Sequence, residues 1–338
     1  MRALIYSDVH ISQDSSILKS LGGKYSTRLE YIIKSLNWAE ELAEKENCSH
    51  IFNLGDTFDK PFINAMEATA VQEIKWSKLP HYILVGNHDS NVASLEYSSV
   101  SILKKFGFNI IKDVEHLVVG KDKFTFIPYL TNDIRKPLSD YTLGNDDIVL
   151  SHNDIAGFNF GKFLSKEGFE FNEIENGCKL FLNGHLHNSS WLSKKILNVG
   201  NLCGQNFSED AFKYEHGCWV LDTDDMSVVF HENPFALNFY KLEYSTKNKD
   251  LFKSIKNNSV VTIKCERNDQ ESLKEQLNIY RDKIVTSRVL LYDKEIASNI
   301  DTSVKLEKID HIKQFEDFIH EKLGRTELID EELTEVCK

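Results

Sequence analysis

The sequence predicts an α/β fold followed by a smaller α+β unit. Up to residue 105, short apolar runs rich in strand-forming residues alternate with stretches that repeat apolar residues at helical spacing. Such alternation indicates a parallel sheet with crossover helices. Beyond residue 108 short strand-like runs follow one another, and several runs in the chain end in Asp, Asn or His. The carboxyl ends of strands are where open α/β sheets bind their ligands.

The first part of the chain is predicted to contain three strand–helix pairs. Strands are expected at 2–7, 50–54 and 81–85, and helices at 26–46, 63–76 and 93–105. In the first helix Leu29, Ile32 and Leu36 recur at helical spacing, with Glu and Lys between them. Short strands are predicted next, at 109–111, 117–119, 124–127, 147–150, 178–182, 196–199, 218–221 and 227–230. The last three of these strands are expected in a mixed second sheet.

A different unit is predicted from residue 245. It consists of a strand at 259–265, an amphipathic helix at 269–284 with Asn268 or Asp269 as its N-cap, and a strand at 287–292. Residues 301–338 are acidic and expected to be helical. The predicted domains are therefore 1–240, 245–300 and 301–338.

Composition and charge limit the classes of function. The chain has 338 residues, of which 41% are hydrophobic and 27% are charged, and its net charge is −12. Residues 241–300 are the exception, with 12 Lys and Arg against 9 Asp and Glu. An acidic catalytic part can still handle phosphates when it holds divalent metals. No apolar run approaches the roughly 20 residues that span a bilayer, and the six cysteines are scattered. We therefore expect a cytoplasmic protein with no membrane partner.

Metal-type residues follow five of the predicted strands. Any one of them alone is more often an ordinary loop residue, but the five together indicate a metal site. The donors are oxygen and nitrogen without sulfur, which favours manganese, magnesium, iron or zinc. They are too many for one ion, and two ions about 3.5–4 Å apart are typical of phosphatases and nucleases. The residues are Asp8, His10, Asp56, Asn87, His88, His152, His185 and His187.

The order and spacing of these residues resemble the calcineurin-like metallophosphoesterases. The pattern consists of D-x-H, G-D-x-x-D, G-N-H-D, a lone His and G-H-x-H, and the chain matches it with Asp8-Val9-His10, Gly55-Asp56-Thr57-Phe58-Asp59, Gly86-Asn87-His88-Asp89, His152 and Gly184-His185-Leu186-His187. Gly86 is expected to let the backbone turn. The resemblance covers roughly residues 1–235 and implies a four-layer α/β/β/α sandwich with a small α+β capping domain and C-terminal helices.

The resemblance also implies a set of metal ligands. The first metal ion would be held by Asp8, His10 and His187, and the second by Asn87, His152 and His185. Asp56 would bridge the two ions. They would most commonly be Mn²⁺, with Mg²⁺ as the alternative.

Three further residues receive roles from the same resemblance. His88 would be the catalytic histidine, which binds no metal and stabilises the phosphorane or protonates the leaving oxygen. Asp59 and Asp89 would orient the histidines, as the residues that ligate metals usually require.

The substrate is expected to be DNA. The motif after the second strand, Gly55-Asp56-Thr57-Phe58-Asp59, is similar to the form found in nuclease subunits of the SbcD type, including phage recombination nucleases. These nucleases also have a capping domain, which the unit at 245–300 resembles. Ile312, Phe315, Ile319 and Leu323 form an apolar stripe that resembles the helices with which such nucleases dock on the coiled coil of an ABC-type or SMC-like ATPase. The chain has no G-x-x-x-x-G-K-[ST] loop, so ATP hydrolysis would come from that partner. Nucleases of this type also form homodimers.

Two other functions compete with a manganese-dependent nuclease that cuts duplex ends as an exonuclease and single strands as an endonuclease. A small-molecule phosphodiesterase acting on cyclic nucleotides or dinucleoside polyphosphates would have the same metal residues, but it would not need the residues after 245. A scaffold with structural metals would have no use for His88 beside the two ions.

Overall fold

The computed structural model describes residues 1–18, 22–91, 94–157 and 165–293. Residues Met1–Leu291 form one compact unit. The predicted C-terminal helix and its apolar stripe lie outside the described residues. Among the described helices, none is both long enough and apolar enough to cross a membrane.

The described elements comprise four α-helices and nineteen strands. The helices are α1 (Thr27–Lys45), α2 (Ala65–Glu73), α3 (Phe171–Gly177) and α4 (Gln270–Ile279). The strands are β1 (Arg2–Tyr6), β2 (His50–Asn53), β3 (His81–Leu84), β4 (Ser90–Asn91), β5 (Ser94–Ser98), β6 (Asn109–Ile111), β7 (Glu115–Val119), β8 (Asp122–Ile127), β9 (Ile148–Ser151), β10 (Ile155–Ala156), β11 (Phe169–Glu170), β12 (Leu180–Asn183), β13 (Ser190–Trp191), β14 (Ile196–Asn198), β15 (Gly217–Asp222), β16 (Ser227–Glu232), β17 (Asn238–Tyr244), β18 (Ser259–Glu266) and β19 (Ile284–Tyr292).

Two six-stranded sheets form the body of the molecule. The strand orders are β16-β15-β1-β2-β3-β6 in the first sheet and β13-β14-β12-β9-β8-β7 in the second. Their inner faces pack together, with Ile5 and Phe52 meeting Phe126 and Leu150 in one buried cluster. Helices α1 and α2 cover the outer face of the first sheet, and α3 covers that of the second. The predicted α/β/β/α sandwich is confirmed.

Strands β15 and β16 correct one expectation. They were assigned to the second sheet, but they form a hairpin that pairs antiparallel with β1 in the first sheet, where Leu4 lies opposite Val220. The sequence does not indicate that β15 pairs with β1, because this pairing depends on contacts between residues far apart in the chain.

The helix predicted at 93–105 is wrong in its start and in its type. The structure has the short strand β5 and then a 3₁₀ helix at Ser99–Phe106, while residues 92–93 lie outside the described part. The backbone N–H and the hydroxyl of Ser99 both donate to the carbonyl of Asp89, at 2.8 and 3.0 Å. These contacts draw the segment onto the loop after β3, so tertiary bonding outweighs helical spacing.

The C-terminal sheet has the order β17-β18-β19 and packs α4 on one face. Strand β17 was not predicted, and it crosses the proposed boundary between 240 and 245, so the division into domains stays a prediction. Helix α4 ends at Ile279 instead of 284, because Ile284 begins β19 and packs into the sheet core. Asp269 makes no side-chain cap and instead accepts a hydrogen bond from the N–H of Thr246 at 3.1 Å.

Candidate metal centre

Five loops meet at the carboxyl edge of the two sheets. Strands β1, β2 and β3 run parallel in the first sheet, and β9 and β12 run parallel in the second. Because the carboxyl ends of parallel strands share one edge, the residues that follow them come together. The structure brings together all seven predicted ligands, which are Asp8, His10, Asp56, Asn87, His152, His185 and His187.

Four of these residues have an unusual backbone. The φ angles of Asp8, His10, Asp56 and His185 are 53°, 48°, 49° and 76°, in the left-handed region. Such conformations cost about 1–3 kcal/mol each outside glycine and persist where the surrounding structure enforces them. Here the N–H of Asp8 donates to the carbonyl of Gly55, and that of His10 donates to the carbonyl of Asp56, both at 3.0 Å. The loops after β1 and β2 therefore hold each other in place.

Two motif glycines are required by close packing. A Cβ on Gly86 would lie 2.1 Å from Oδ1 of Asp56, and one on Gly184 would lie 2.2 Å from Oγ of Ser7. Gly86 does not have a positive φ, so its role is to leave space for the Asp56 loop and not to provide a turn. These glycines let neighbouring loops approach closely enough for their side chains to converge.

The first group of candidate ligands is Asp8, His10 and His187. Nε2 of His10 lies 3.9 Å from Oδ1 of Asp8, and Nε2 of His187 lies 4.0 Å from the same oxygen. In the described part of the chain, Oδ1 of Asp8 and Nε2 of His10 are buried without a hydrogen-bond partner. Buried polar atoms are rarely left unpaired. Acceptors that face one another across such distances fit a divalent cation between them.

The second group is formed by Asp56, Asn87, His152 and His185. Nε2 of His152 lies 3.3 Å from both Oδ2 of Asp56 and Oδ1 of Asn87, and Nδ1 of His185 lies 3.0 Å from the same Asn87 oxygen. Oδ2 of Asp56 is also 3.7 Å from Nε2 of His10. Asp56 therefore lies between the two groups, the position that a bridging ligand needs.

Hydrogen bonds fix which ring nitrogen of His152 can act as a ligand. Nδ1 of His152 lies 2.6 Å from the carbonyl of Leu54. A carbonyl only accepts hydrogen bonds, so Nδ1 carries the hydrogen and Nε2 keeps its lone pair for a metal. Nδ1 of His10 lies 3.4 Å from Oδ1 of Asp59 but makes no hydrogen bond to the described residues, so this contact does not fix its ring nitrogens in the same way.

Two carboxylates that sequence reasoning missed hold the remaining histidines. Nδ1 of His187 donates to Oε1 of Glu209 at 2.7 Å, and Nε2 of His185 lies 3.3 Å from Oδ1 of Asp154. The spacing of Asp154, two residues after His152, could have indicated it. Glu209 has no comparable signal, because it lies 22 residues beyond His187 in a loop without a motif.

The electrostatics of the centre favour positive charge. Burial opposes a charged imidazole at His152, yet Asp56 and Asp8 raise its pKa to about 9. Burial has the same effect at His10, and its contacts with Asp59 and Asp8 raise its pKa to about 10. Burial would raise the pKa of Asp56, but His152 and His10 lower it. Buried carboxylates that draw protons onto their neighbours are suited to hold divalent cations in place of those protons.

His88 is the exposed member of the cluster. Its Nδ1 lies 3.1 Å from the carbonyl of Asp59, so Nδ1 carries the hydrogen and Nε2 is the atom left for a substrate. Its ring is 4.7 Å from that of His10, and one possible grouping of ligand atoms combines His88 with His10 and Asp56. The assignment of His88 to proton transfer instead of metal binding therefore stays a prediction.

Asp59 and Asp89 differ in what they touch. Asp59 contacts both His10 and His88, in line with the expected orienting role. The side chain of Asp89 accepts backbone N–H bonds from Gly86, Thr57 and Phe58 at 3.0, 3.3 and 2.8 Å. Burial, with repulsion from Asp56, raises the pKa of Asp89 to about 7. Asp89 thus joins the loops after β2 and β3, whereas the sequence predicted that it would orient histidines.

The fold and this centre define a metal-dependent hydrolase. The family model for calcineurin-like phosphoesterases matches residues 1–189, which is more than half of the chain. The protein belongs to that family, whose members use divalent metals.

Three solved structures that a structural comparison finds similar to this chain share little sequence with it. An archaeal phosphodiesterase is 14% identical, with a TM-score of 0.34, over 69% of this chain and 99% of its own. A Thermus thermophilus protein is 13% identical, with a TM-score of 0.40, over 68% and 98%. A metallophosphoesterase from Sphaerobacter thermophilus is 14% identical, with a TM-score of 0.30, over 69% and 88%. A comparison with curated protein sequences finds no match.

Proposed function

We propose that the protein is a manganese-dependent DNA nuclease of the SbcD type that works in DNA repair or recombination. It would digest duplex ends as an exonuclease and cut single strands as an endonuclease. The proposal includes two Mn²⁺ ions, with Mg²⁺ as the alternative, held by the two ligand groups and shared through Asp56.

Two adjoining cavities near the metal centre support this proposal. A cavity of about 430 Å³ lies beside the centre, with Arg28 and Asp59 in its wall. Ser16 and Ile17 line this cavity and also a second one of about 660 Å³, whose far wall is the C-terminal sheet. Lys241 and Arg288 lie in that far wall. Two adjoining cavities with cations in the far wall suit a polynucleotide better than a mononucleotide.

The side chains of the centre fit phosphodiester hydrolysis. When bound, divalent ions polarise a phosphoryl oxygen and provide a nucleophile at neutral pH. The Asp59 carbonyl holds His88 through Nδ1, so that Nε2 of the imidazolium form can give a proton to the leaving oxygen and the ring is left neutral with its hydrogen on Nδ1. The Asp56 carboxylate also accepts the backbone N–H of His88 at 2.9 Å, which ties the proton donor to the metal-binding loop.

The partner of the nuclease would be an SMC-like ATPase with a coiled coil, and the nuclease would work as a homodimer. Deletion of residues 301–338 should abolish copurification with that ATPase while basal manganese-dependent nuclease activity remains. A truncated protein that still copurifies with the ATPase would exclude the tail as the docking segment.

The nuclease proposal is tested with linear duplex DNA. Purified protein should degrade it with Mn²⁺, lose the activity in EDTA and regain it when Mn²⁺ is restored. His88→Ala, purified in parallel, controls for contaminating nucleases and should be inactive. Activity confined to cyclic nucleotides or dinucleoside polyphosphates would instead establish the small-molecule phosphodiesterase.

A further inference from the structure

Arg28 lies in the wall of the cavity beside the metal centre with most of its hydrogen-bonding capacity unused. It is the second residue of α1 and is half-buried. Its Nη2 donates to the carbonyl of His10 at 3.3 Å, which is its one hydrogen bond to the described residues. Its Nε is buried without a partner. A guanidinium offers five N–H donors, so one that makes a single bond and keeps a buried, unpaired Nε has donors left for a ligand in the cavity.

The acidic residues of the same cavity have other neighbours besides Arg28. Oδ2 of Asp14 lies 2.7 Å from Nζ of Lys60, and Asp59 faces Nδ1 of His10 at 3.4 Å. In contrast, the structure gives no ion pair within 4.0 Å to Arg28 among the residues it describes. Arg28 contributes to lowering the pKa of Asp59, but it forms no ion pair with that carboxylate, so its N–H donors still face the cavity.

The remaining lining residues indicate what kind of anion fits. They are hydroxyl and amide side chains together with one aliphatic residue, namely Ser15, Ser16, Gln205, Asn206 and Ile17. The described lining contains no aromatic ring on which a base could stack. Hydroxyls, amides and a guanidinium are the groups that contact the sugar–phosphate backbone, and a planar guanidinium matches a phosphate with paired N–H donors.

We propose that Arg28 binds the phosphate next to the scissile phosphodiester, which makes this cavity a subsite for the flanking nucleotide. The inference rests on the proposed nucleotide substrate and adds to it a residue that determines specificity. Arg28 distinguishes a phosphodiester with a neighbouring phosphate from one without it. Because the contact is to the backbone, it does not depend on base sequence.

Paired chromogenic substrates test this role directly. The nitrophenyl ester of thymidine 5′-phosphate is compared with the same ester bearing a 3′-phosphate, and the isomeric 3′-ester is compared with and without a 5′-phosphate. In the native protein, kcat/KM should be higher for the doubly phosphorylated member of at least one pair. Arg28→Ala should lower kcat/KM for that member about 10- to 100-fold, and for bis(p-nitrophenyl) phosphate by less than about twofold.

Two further variants separate recognition from folding. Arg28→Lys keeps the charge and should recover part of the lost preference, whereas Lys121→Ala removes an exposed charge elsewhere and should not change it. An equal loss on all esters in Arg28→Ala would mean that Arg28 only supports the His10 loop, and would overturn the proposal. The proposal would also be overturned if Arg28→Ala kept the preference for the doubly phosphorylated ester, or if the native protein showed no such preference.

An oligonucleotide cleavage assay on the same preparations tests the nuclease proposal and the Arg28 subsite separately. If the native protein prefers the doubly phosphorylated ester and cleaves no DNA, the subsite stands and the nuclease proposal falls. If it cleaves DNA and Arg28→Ala cleaves it equally well, the nuclease proposal stands and the subsite falls.

Discussion

Replacement of Glu209 by Gln tests how strongly a residue outside the ligand set controls the metal centre. Glu209 is fully buried, and Nδ2 of Asn206 donates to Oε1 of its carboxylate at 3.3 Å. Two shorter hydrogen bonds of 2.7 Å come from Nδ1 of His187 to Oε1 and from the backbone N–H of Gln205 to Oε2. Burial would raise the pKa of Glu209, but His187 lowers it, so the group is an anion. A glutamine of the same shape has one acceptor oxygen and can satisfy only one of these two donors.

The expected cost follows from that mismatch. Either His187 loses the acceptor that fixes its ring, or a buried N–H is left unpaired at about 1–3 kcal/mol. Loss of a carboxylate that supports a metal-bound histidine typically weakens metal binding 10- to 100-fold, or about 1.4–2.7 kcal/mol. We therefore expect Glu209→Gln to raise the Mn²⁺ concentration needed for half-maximal hydrolysis of bis(p-nitrophenyl) phosphate by that factor.

A second buried pair provides the matched control. Glu40 is 1% exposed and lies 3.1 Å from Nε2 of His81, at the opposite end of β3 from the metal loops. Glu40→Gln should lower the thermal midpoint while leaving the manganese dependence unchanged. An unchanged manganese dependence in Glu209→Gln would show that the His187–Glu209 contact does not support a metal ligand.

The remaining predictions concern the same loops. His88→Ala should lower kcat about 10²- to 10⁴-fold with an unchanged metal content, and loss of metal in elemental analysis would show that His88 is a ligand. Gly86→Ala places a Cβ 2.1 Å from Oδ1 of Asp56 and 2.4 Å from its backbone nitrogen. It should destabilise the protein by about 1–3 kcal/mol in urea unfolding and weaken Mn²⁺ binding. The control is Gly177→Ala, whose added Cβ would lie 3.3 Å from a methyl group of Leu138 and should have neither effect.

The fold class and the convergence of the candidate site could be predicted because both follow local rules. Strand–helix alternation indicates parallel strands, and parallel strands bring their carboxyl ends to one edge. Asp8, Asp56, Asn87, His152 and His185 each stand within a few residues of a strand end, so their convergence needed no knowledge of distant contacts.

The features that sequence reasoning missed depend on contacts between distant segments. The hairpin β15–β16 could have joined either sheet, and only the free edge of β1 decides its place. Glu209 reaches His187 through a loop with no repeated pattern. Arg28 follows helical spacing on α1 like a surface residue, and its position beside His10 comes from the way the Asp8–His10 loop folds over the start of α1.

Side chains from both sheets are proposed to hold two divalent ions that share Asp56. Anomalous diffraction at the manganese edge, from crystals grown with Mn²⁺, tests this arrangement most directly. Two peaks about 3.5–4 Å apart are expected, one beside Asp8, His10 and His187 and the other beside Asn87, His152 and His185, with Asp56 between them. A single peak, or peaks away from these residues, would contradict it.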